Sequence, residues 1–244
     1  MKIKALFLKK VYNISNRVND DIYMYLETNK IIFQSVMEGK AVLLEIIHIT
    51  ECPASDKPIV FDITKLRNLI SVLNDDDLID ISRKDNYISL KVKNFHRKLI
   101  LVEPVNLRFI LPDERKDKPI VFTHDIDVFI SNFKNAIKAS DDIKSELNLL
   151  FNKNSFIIMK KTELEESKCE IKGENLTVNK SPNDIDCLFN ESYINDFLDS
   201  TDGKINIKVL KNGPIKFVSK PIKDLTIKYM VAPLIKPEES TNAE

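Results

Sequence analysis

Apolar and polar positions alternate over most of the chain, and the period is that of short strands. LIDIS (78–82), YISLKVK (87–93), KLILVE (98–103), SFIIMKK (155–161) and KINIKVL (204–210) alternate or run apolar, and they are rich in Ile, Val and aromatics. DDD (75–77), KDN (84–86), GEN (173–175), DGK (202–204) and NGP (212–214) separate them as turn-forming stretches. Spacing of three and four, the helical signature, is confined to four segments. DITKLRNLISVL repeats Ile63, Leu66, Leu69, Ile70 and Leu73. HDIDVFISNFKNAIKAS repeats Ile126, Phe129, Ile130, Phe133 and Ile137. ESYINDFLDS groups Tyr193, Ile194, Phe197 and Leu198, and KKVYNISNRV offers the weaker set Val11, Ile14 and Val18.

A strand stands before each helix: KIKALFL, KPIVFDI, KPIVFTH and DIDCLFN. Three or four strands follow each one. The unit is therefore strand, helix, several strands, and it opens near residues 2, 57, 118 and 184. The pentapeptide KPIVF, at Lys57–Phe61 and again at Lys118–Phe122, reads as the first strand of units two and three. The pattern predicts an α+β chain of two similar domains, 1–103 and 119–235, with helices on one face of antiparallel sheets. Between them lies a connector, 104–118, and residues 236–244 form a polar tail. The stretch LVEPVNLRFILPDERKDKP (101–119) has a linker's prolines, yet it carries Leu107, Phe109, Ile110 and Leu111, more apolar surface than a solvated linker needs.

Length and composition agree with this division. The chain has 244 residues, 43% of them hydrophobic, enough for two cores. Lys and Arg (37) balance Asp and Glu (37), which argues against a chain coated with positive charge, though not against a local basic face. Four glycines, none close to another, exclude the clustered loops that cradle phosphates and the nucleophile elbow of hydrolases. Three cysteines without metal-ligand spacing suit a reducing compartment. The longest apolar run near the start is too short for a signal peptide, and none approaches a membrane span, so a cytoplasmic chain is expected.

Chemistry for catalysis is sparse. The pair His124-Asp125 has the form of a metal phosphohydrolase dyad, but no further His or Asp cluster accompanies it, and Asp125 sits where a helix N-cap is expected. Asp75–Asp77 fall in a turn, where Asp is common. Cys169 and Cys187 have no histidine at nucleophile spacing. Neither a catalytic group nor a cofactor or metal is expected.

Several stretches together resemble the DNA sliding clamp family, which includes proliferating cell nuclear antigen and the archaeal and tailed-phage clamps. IKYMVAPLI (227–235), followed by PEES, is similar to the family's C-terminal strand and acidic tail. IIFQSVMEGKAVLLEI (31–46), FILPDE (109–114) and KLRNLISVLNDDDLIDI (65–81) resemble an early hairpin, the end of the interdomain connector and the second helix with its strand. No single motif is specific; their order over the whole chain carries the resemblance.

It implies a non-enzymatic ring that encircles duplex DNA without reading sequence, tethers DNA polymerase and other proteins through short peptides, and is opened by a loader ATPase. A homotrimer is implied, in an archaeal or virus-infected cell, without a membrane. A heterotrimeric or checkpoint-type ring and an unrelated two-domain enzyme remain as alternatives. Residues carried over as DNA-facing are Lys9, Lys10, Arg17, Lys65, Arg67, Lys134 and Lys138; the fourth helix, with Glu191, Asp196 and Asp199, departs from a basic lining. The peptide site maps to Val36, Lys40, Phe109, Leu111, Pro112, Pro214, Met230, Ala232 and Pro233. Ring closure maps to 95–103 and 166–172, with Phe95, Arg97, Leu99 and Leu101 on one edge and Glu166, Lys168 and Glu170 on the other.

Overall fold

The computed structural model describes residues 1–37, 39, 41–104, 108–140, 143 and 146–234. The first half runs β1 (Lys2–Lys4), α1 (Ala5–Ser15), β2 (Asp21–Glu27), β3 (Lys30–Val36), β4 (Val42–Ile49) and β5 (Ile59–Asp62). A 3-10 turn over Ile63–Leu66 then leads into α2 (Arg67–Ser71), followed by β6 (Leu78–Arg83), β7 (Tyr87–Val92) and β8 (Phe95–Ile100). The second half runs β9 (His124–Phe129), α3 (Ile130–Lys138), β10 (Leu147–Phe151), β11 (Ser155–Lys161), β12 (Glu166–Lys172), β13 (Leu176–Lys180), β14 (Ile185–Phe189), α4 (Glu191–Ser200), β15 (Lys204–Val209), β16 (Ile215–Ser219) and β17 (Leu225–Val231).

Three antiparallel sheets result. Two have four strands, in the orders β1-β6-β7-β8 and β12-β11-β10-β14. The third has nine, in the order β13-β9-β15-β16-β17-β4-β3-β2-β5. At the centre of the long sheet β17, the last strand, pairs with β4 from Leu225↔His48 to Val231↔Val42, so the two halves share one continuous sheet. One buried apolar cluster runs from Ile3 to Val231. Period two sets the inward face of β15: Ile205, Ile207 and Val209 are buried, while Asn206 and Lys208 between them are only half-buried. Phe197 of α4 stacks on Phe217 of β16 at 5.0 Å and lies 5.2 Å from Tyr229 of β17. Each such fully buried ring contributes about 1.5–3 kcal/mol.

The third unit differs from the expected one. KPIVF at 57–61 does supply β5, with Ile59, Val60 and Phe61 buried. At 118–122 it forms no strand: Lys118 takes a left-handed φ of 53° and Val121 is 67% exposed. The recurrence is coincidence. The unit's strand is instead HDIDVF, read above as the start of helix three. His124, Ile126 and Val128 alternate inward in β9, and only from Ile130 does the helical stripe take over. Ile126 and Ile130, four apart, suit both periods, Phe129 would join them only in a helix and is 44% exposed here, and pairing with β13 and β15 decides for the strand. Asp125 is therefore no helix cap. It accepts hydrogen bonds from Asn179 (2.9 Å) and Asn206 (2.6 Å) on the neighbouring strands. The expected first strand likewise stops at Lys4, because Ala5, Leu8, Val11 and Ile14 bury one helical stripe and α1 begins at Ala5. The strand written as KLILVE starts and ends three residues earlier, as β8.

Candidate functional site

The four helices contact one another in a row, α2 with α1, α1 with α4 and α4 with α3. Ser200 Oγ of α4, 2.6 Å from the carbonyl of Asp196 in its own helix, also lies 3.1 Å from the carbonyl of Asn13 in α1, where the two halves meet. The acidic fourth helix lies between the basic residues of its neighbours. Arg17 reaches Asp196 at 3.1 Å and Asp199 at 3.7 Å, Lys134 reaches Asp199 at 3.2 Å, and Lys10 reaches Asp202, just past α4, at 2.8 Å. Lys9 pairs with Asp75 at 2.7 Å and Lys65 with Asp62 at 3.5 Å. Among the described residues, Arg67 and Lys138 alone of the seven expected cations have no carboxylate partner. Arg67 opens on a shallow groove of about 620 Å³ between α1 and α2, shared with Tyr12, Asn13 and Asn16. The face is thus an alternation of charge, with its unpaired cations on α2 and at the end of α3.

Among the described residues, β8 ends one four-stranded sheet and β12 ends the other, and both were expected as joining edges. β8 bonds only to β7, and β12 only to β11. On β8 Phe95 is exposed, Arg97 half-buried and Leu99 buried; Leu101 follows the strand, half-buried. On β12 Glu166, Lys168 and Glu170 face solvent, while Ile171 is buried and Ser167 Oγ lies 3.1 Å from Ser140 Oγ and 3.4 Å from the Ala139 carbonyl at the end of α3.

The connector is fastened to the long sheet by ionic bonds that the sequence did not reveal. Gln34, Glu45 and Lys228 stand opposite one another across β3, β4 and β17. Gln34 Nε2 donates to Glu45 (2.8 Å) and to the carbonyl of Phe109 (3.0 Å). Lys228 Nζ donates to Glu45 (3.0 Å) and Glu114 (2.8 Å), and Lys216 Nζ, nearly buried, to Asp113 (2.7 Å) and Glu114 (3.0 Å). Burial alone would raise the pKa of Glu114, but the two ammonium donors more than offset it and hold the carboxyl below its ordinary range. Burial likewise opposes the charge of Lys228, and Glu114 and Glu45 outweigh it, so its pKa is raised. Leu111, between these bonds, is fully buried.

The expected peptide-site residues gather at one end of this sheet. Val36 of β3 and Met230 of β17 flank Leu43 of β4 in register, Pro214 precedes β16, and Ala232 and Pro233 follow β17. Phe109 lies half-buried, and Pro112 begins a short 3-10 turn beside them. Lys40 and Leu107 are outside the described residues.

No family model matches the chain. The DNA polymerase sliding clamp of Methanocella arvoryzae is 23% identical over 191 residues, 76% of each chain. The structure of A. fulgidus PCNA bound to the C-terminal region of FEN-1 superposes with a TM-score of 0.82 at 18% identity, covering 97% of this chain and 98% of that one. PCNA from Thermococcus kodakaraensis gives 0.83 at 14% identity, covering 95% and 98%. The chain has the sliding-clamp fold.

Within that clamp fold the other candidate chemistry takes structural roles. His124 is buried, bonded to Thr123 Oγ1 at 2.9 Å and to the carbonyl of Asn183. Asp75, Asp76 and Asp77 each pair with a different lysine, Lys9, Lys4 and Lys93. Among the described residues no three His, Cys, Asp or Glu side chains are grouped to hold a metal ion, and no helix is long and apolar enough to cross a membrane. Cys52 and Cys187 are buried.

Proposed function

We propose that this chain is a non-enzymatic DNA sliding clamp that closes into a ring with two further copies, encircles duplex DNA and tethers polymerase and other replication proteins. The observation that carries this reading is the fold over nearly the whole chain, with the helices of both halves in one row and with β8 and β12, one from each half, each ending a four-stranded sheet. Three two-domain subunits joined edge to edge would turn the helix row toward the DNA. There Arg67 and Lys138 would meet phosphates directly, and the paired lysines would exchange carboxylate for phosphate at little cost, which suits sliding. In this reading residues 1–103 and 119–235 are the two clamp domains and 104–118 the connector that borders the peptide site. A relative of the same fold was solved with the C-terminal region of FEN-1, and an equivalent peptide here would lie against Val36, Phe109, Leu111 and Met230.

The test is topological. Three copies of 28.1 kDa weigh 84.3 kDa, and light scattering after size exclusion should give that mass at low micromolar concentration. Loaded on nicked circular DNA with a clamp loader, the protein should stay bound through a high-salt wash and be lost once the circle is cut. Equal retention on cut and intact circles would refute encirclement, and a monomer at every concentration would refute self-closure.

A further inference from the structure

The edges at β8 and β12 differ in a way that goes beyond strand pairing. The turn between β11 and β12, residues 162–165, carries Leu164 at its tip, 95% exposed. The turn is firmly made: the Thr162 amide donates to the Glu165 carbonyl (2.8 Å), and Thr162 Oγ1 accepts from the amides of Leu164 (3.4 Å) and Glu165 (3.1 Å). Glu163, Glu165 and Glu166 surround the leucine, all exposed. A large apolar side chain held out on an acidic turn gains nothing within the chain.

The other edge offers a complementary hollow. Beside β8 lies a cavity of about 330 Å³ lined by Leu99, Ile100 and Val102, with Lys65, Arg97 and Lys98 contributing three cations and Asp62 one carboxylate. Ile100 is 79% exposed and Val102 39%. The hollow is larger than a leucine side chain, and its lining combines apolar and basic residues.

We propose that Leu164 of one copy seats in the β8 cavity of a second copy and that the surrounding glutamates pair with Lys65, Arg97 and Lys98. The inference rests on the ring reading above and names what keys the joint. Geometry supports it. Antiparallel pairing of β8 with β12 of a neighbour places the first residues of β12 against the last of β8. The turn that precedes Glu166 then arrives at Ile100 and Val102, where the cavity lies. Strand pairing alone is indifferent to register along a polar edge. A leucine in a socket removes that freedom, and the opposed charges set direction.

The test compares assembly of the full chain with that of Leu164→Asp, a surface change that leaves the core intact, by sedimentation over a range of concentrations. Leu164→Asp should raise the dissociation constant about tenfold or more, with an unchanged circular dichroism spectrum. In a second measurement, Leu164→Cys with Val102→Cys in a Cys169→Ser background is exposed to oxidised glutathione. Covalent species of two and three copies should form, and neither single cysteine should give them. If the chain assembles but Leu164→Asp assembles equally well and the cysteine pair stays unlinked, the socket is overturned and the ring survives. If the unaltered chain never assembles, there is no second copy to supply the leucine, and both readings fall.

Discussion

Replacing Lys216 by methionine tests whether the connector is held by charge or only by Leu111. The substitution keeps the apolar stem and removes the ammonium. Lys216 and Asp113 are 5% and 16% exposed and 2.7 Å apart, so this bond counts nearly in full, about 1.5–3 kcal/mol. The bond to Glu114 counts for less, under about 1 kcal/mol, because that carboxylate is 37% exposed and keeps Lys228. Asp113 Oδ1 already lacks a partner, so loss of Lys216 leaves a mostly buried carboxylate with none, which pushes the cost toward the upper end. The expected loss is about 3 kcal/mol, or about 6–12 °C in melting temperature for a chain of this length. Urea unfolding at pH 7, at one protein concentration, measures it. Lys4→Met is the control: its pair with Asp76 is 61% and 91% exposed and should be worth less than about 1 kcal/mol. A loss below about 1 kcal/mol for Lys216→Met, or equal losses in the two variants, would refute the argument that burial gives this network its strength.

Two further outcomes follow from titration. The folded-state pKa of Glu114 is depressed, so its contribution is fully present above the ordinary carboxylate range and is lost as pH falls below about 4.3 toward the folded value; the urea midpoint of Glu114→Gln should therefore fall less steeply with acid than that of the unaltered chain, and parallel curves would refute the pairing. Burial pushes the Cys187 thiol up to about 11, so at pH 8 roughly one molecule in a thousand carries the thiolate; iodoacetamide followed by peptide mass spectrometry should find Cys187 unmodified until urea unfolds the chain, and modification of Cys187 in native protein would contradict the burial.

Strands β6, β7, β11 and β15 and helix α4 were legible because each carries an alternating, continuous apolar or helical pattern bounded by turn residues. β9 was not, since Ile126 and Ile130 satisfy both periods, Phe129 favours the helical one, and only ladder partners on two sides settle the matter. The meaning of the fourth helix was hidden for a related reason. Its carboxylates looked like a defect in a basic face, yet Asp196 and Asp199 are the counter-ions of Arg17 and Lys134, and Glu191 that of Lys160, all distant in sequence and adjacent in space. The ionic clasp on the connector was invisible too. Gln34, Glu45, Lys216 and Lys228 are single polar positions in four separate strands, and nothing local distinguishes them from ordinary outward residues.

By itself the sequence determined the class of structure, the four helices and most strands, because periodicity, turn chemistry and burial act over a few residues. It also determined that the glycines are scattered, which excludes clustered phosphate-cradling loops. Tertiary structure alone decided which charges neutralise one another, that β17 returns to β4 and joins the halves in one sheet, and that β8 and β12 are left as edges. These depend on pairs far apart along the chain, whose Coulomb and hydrogen-bond energies exist only once folding has brought them within a few ångströms.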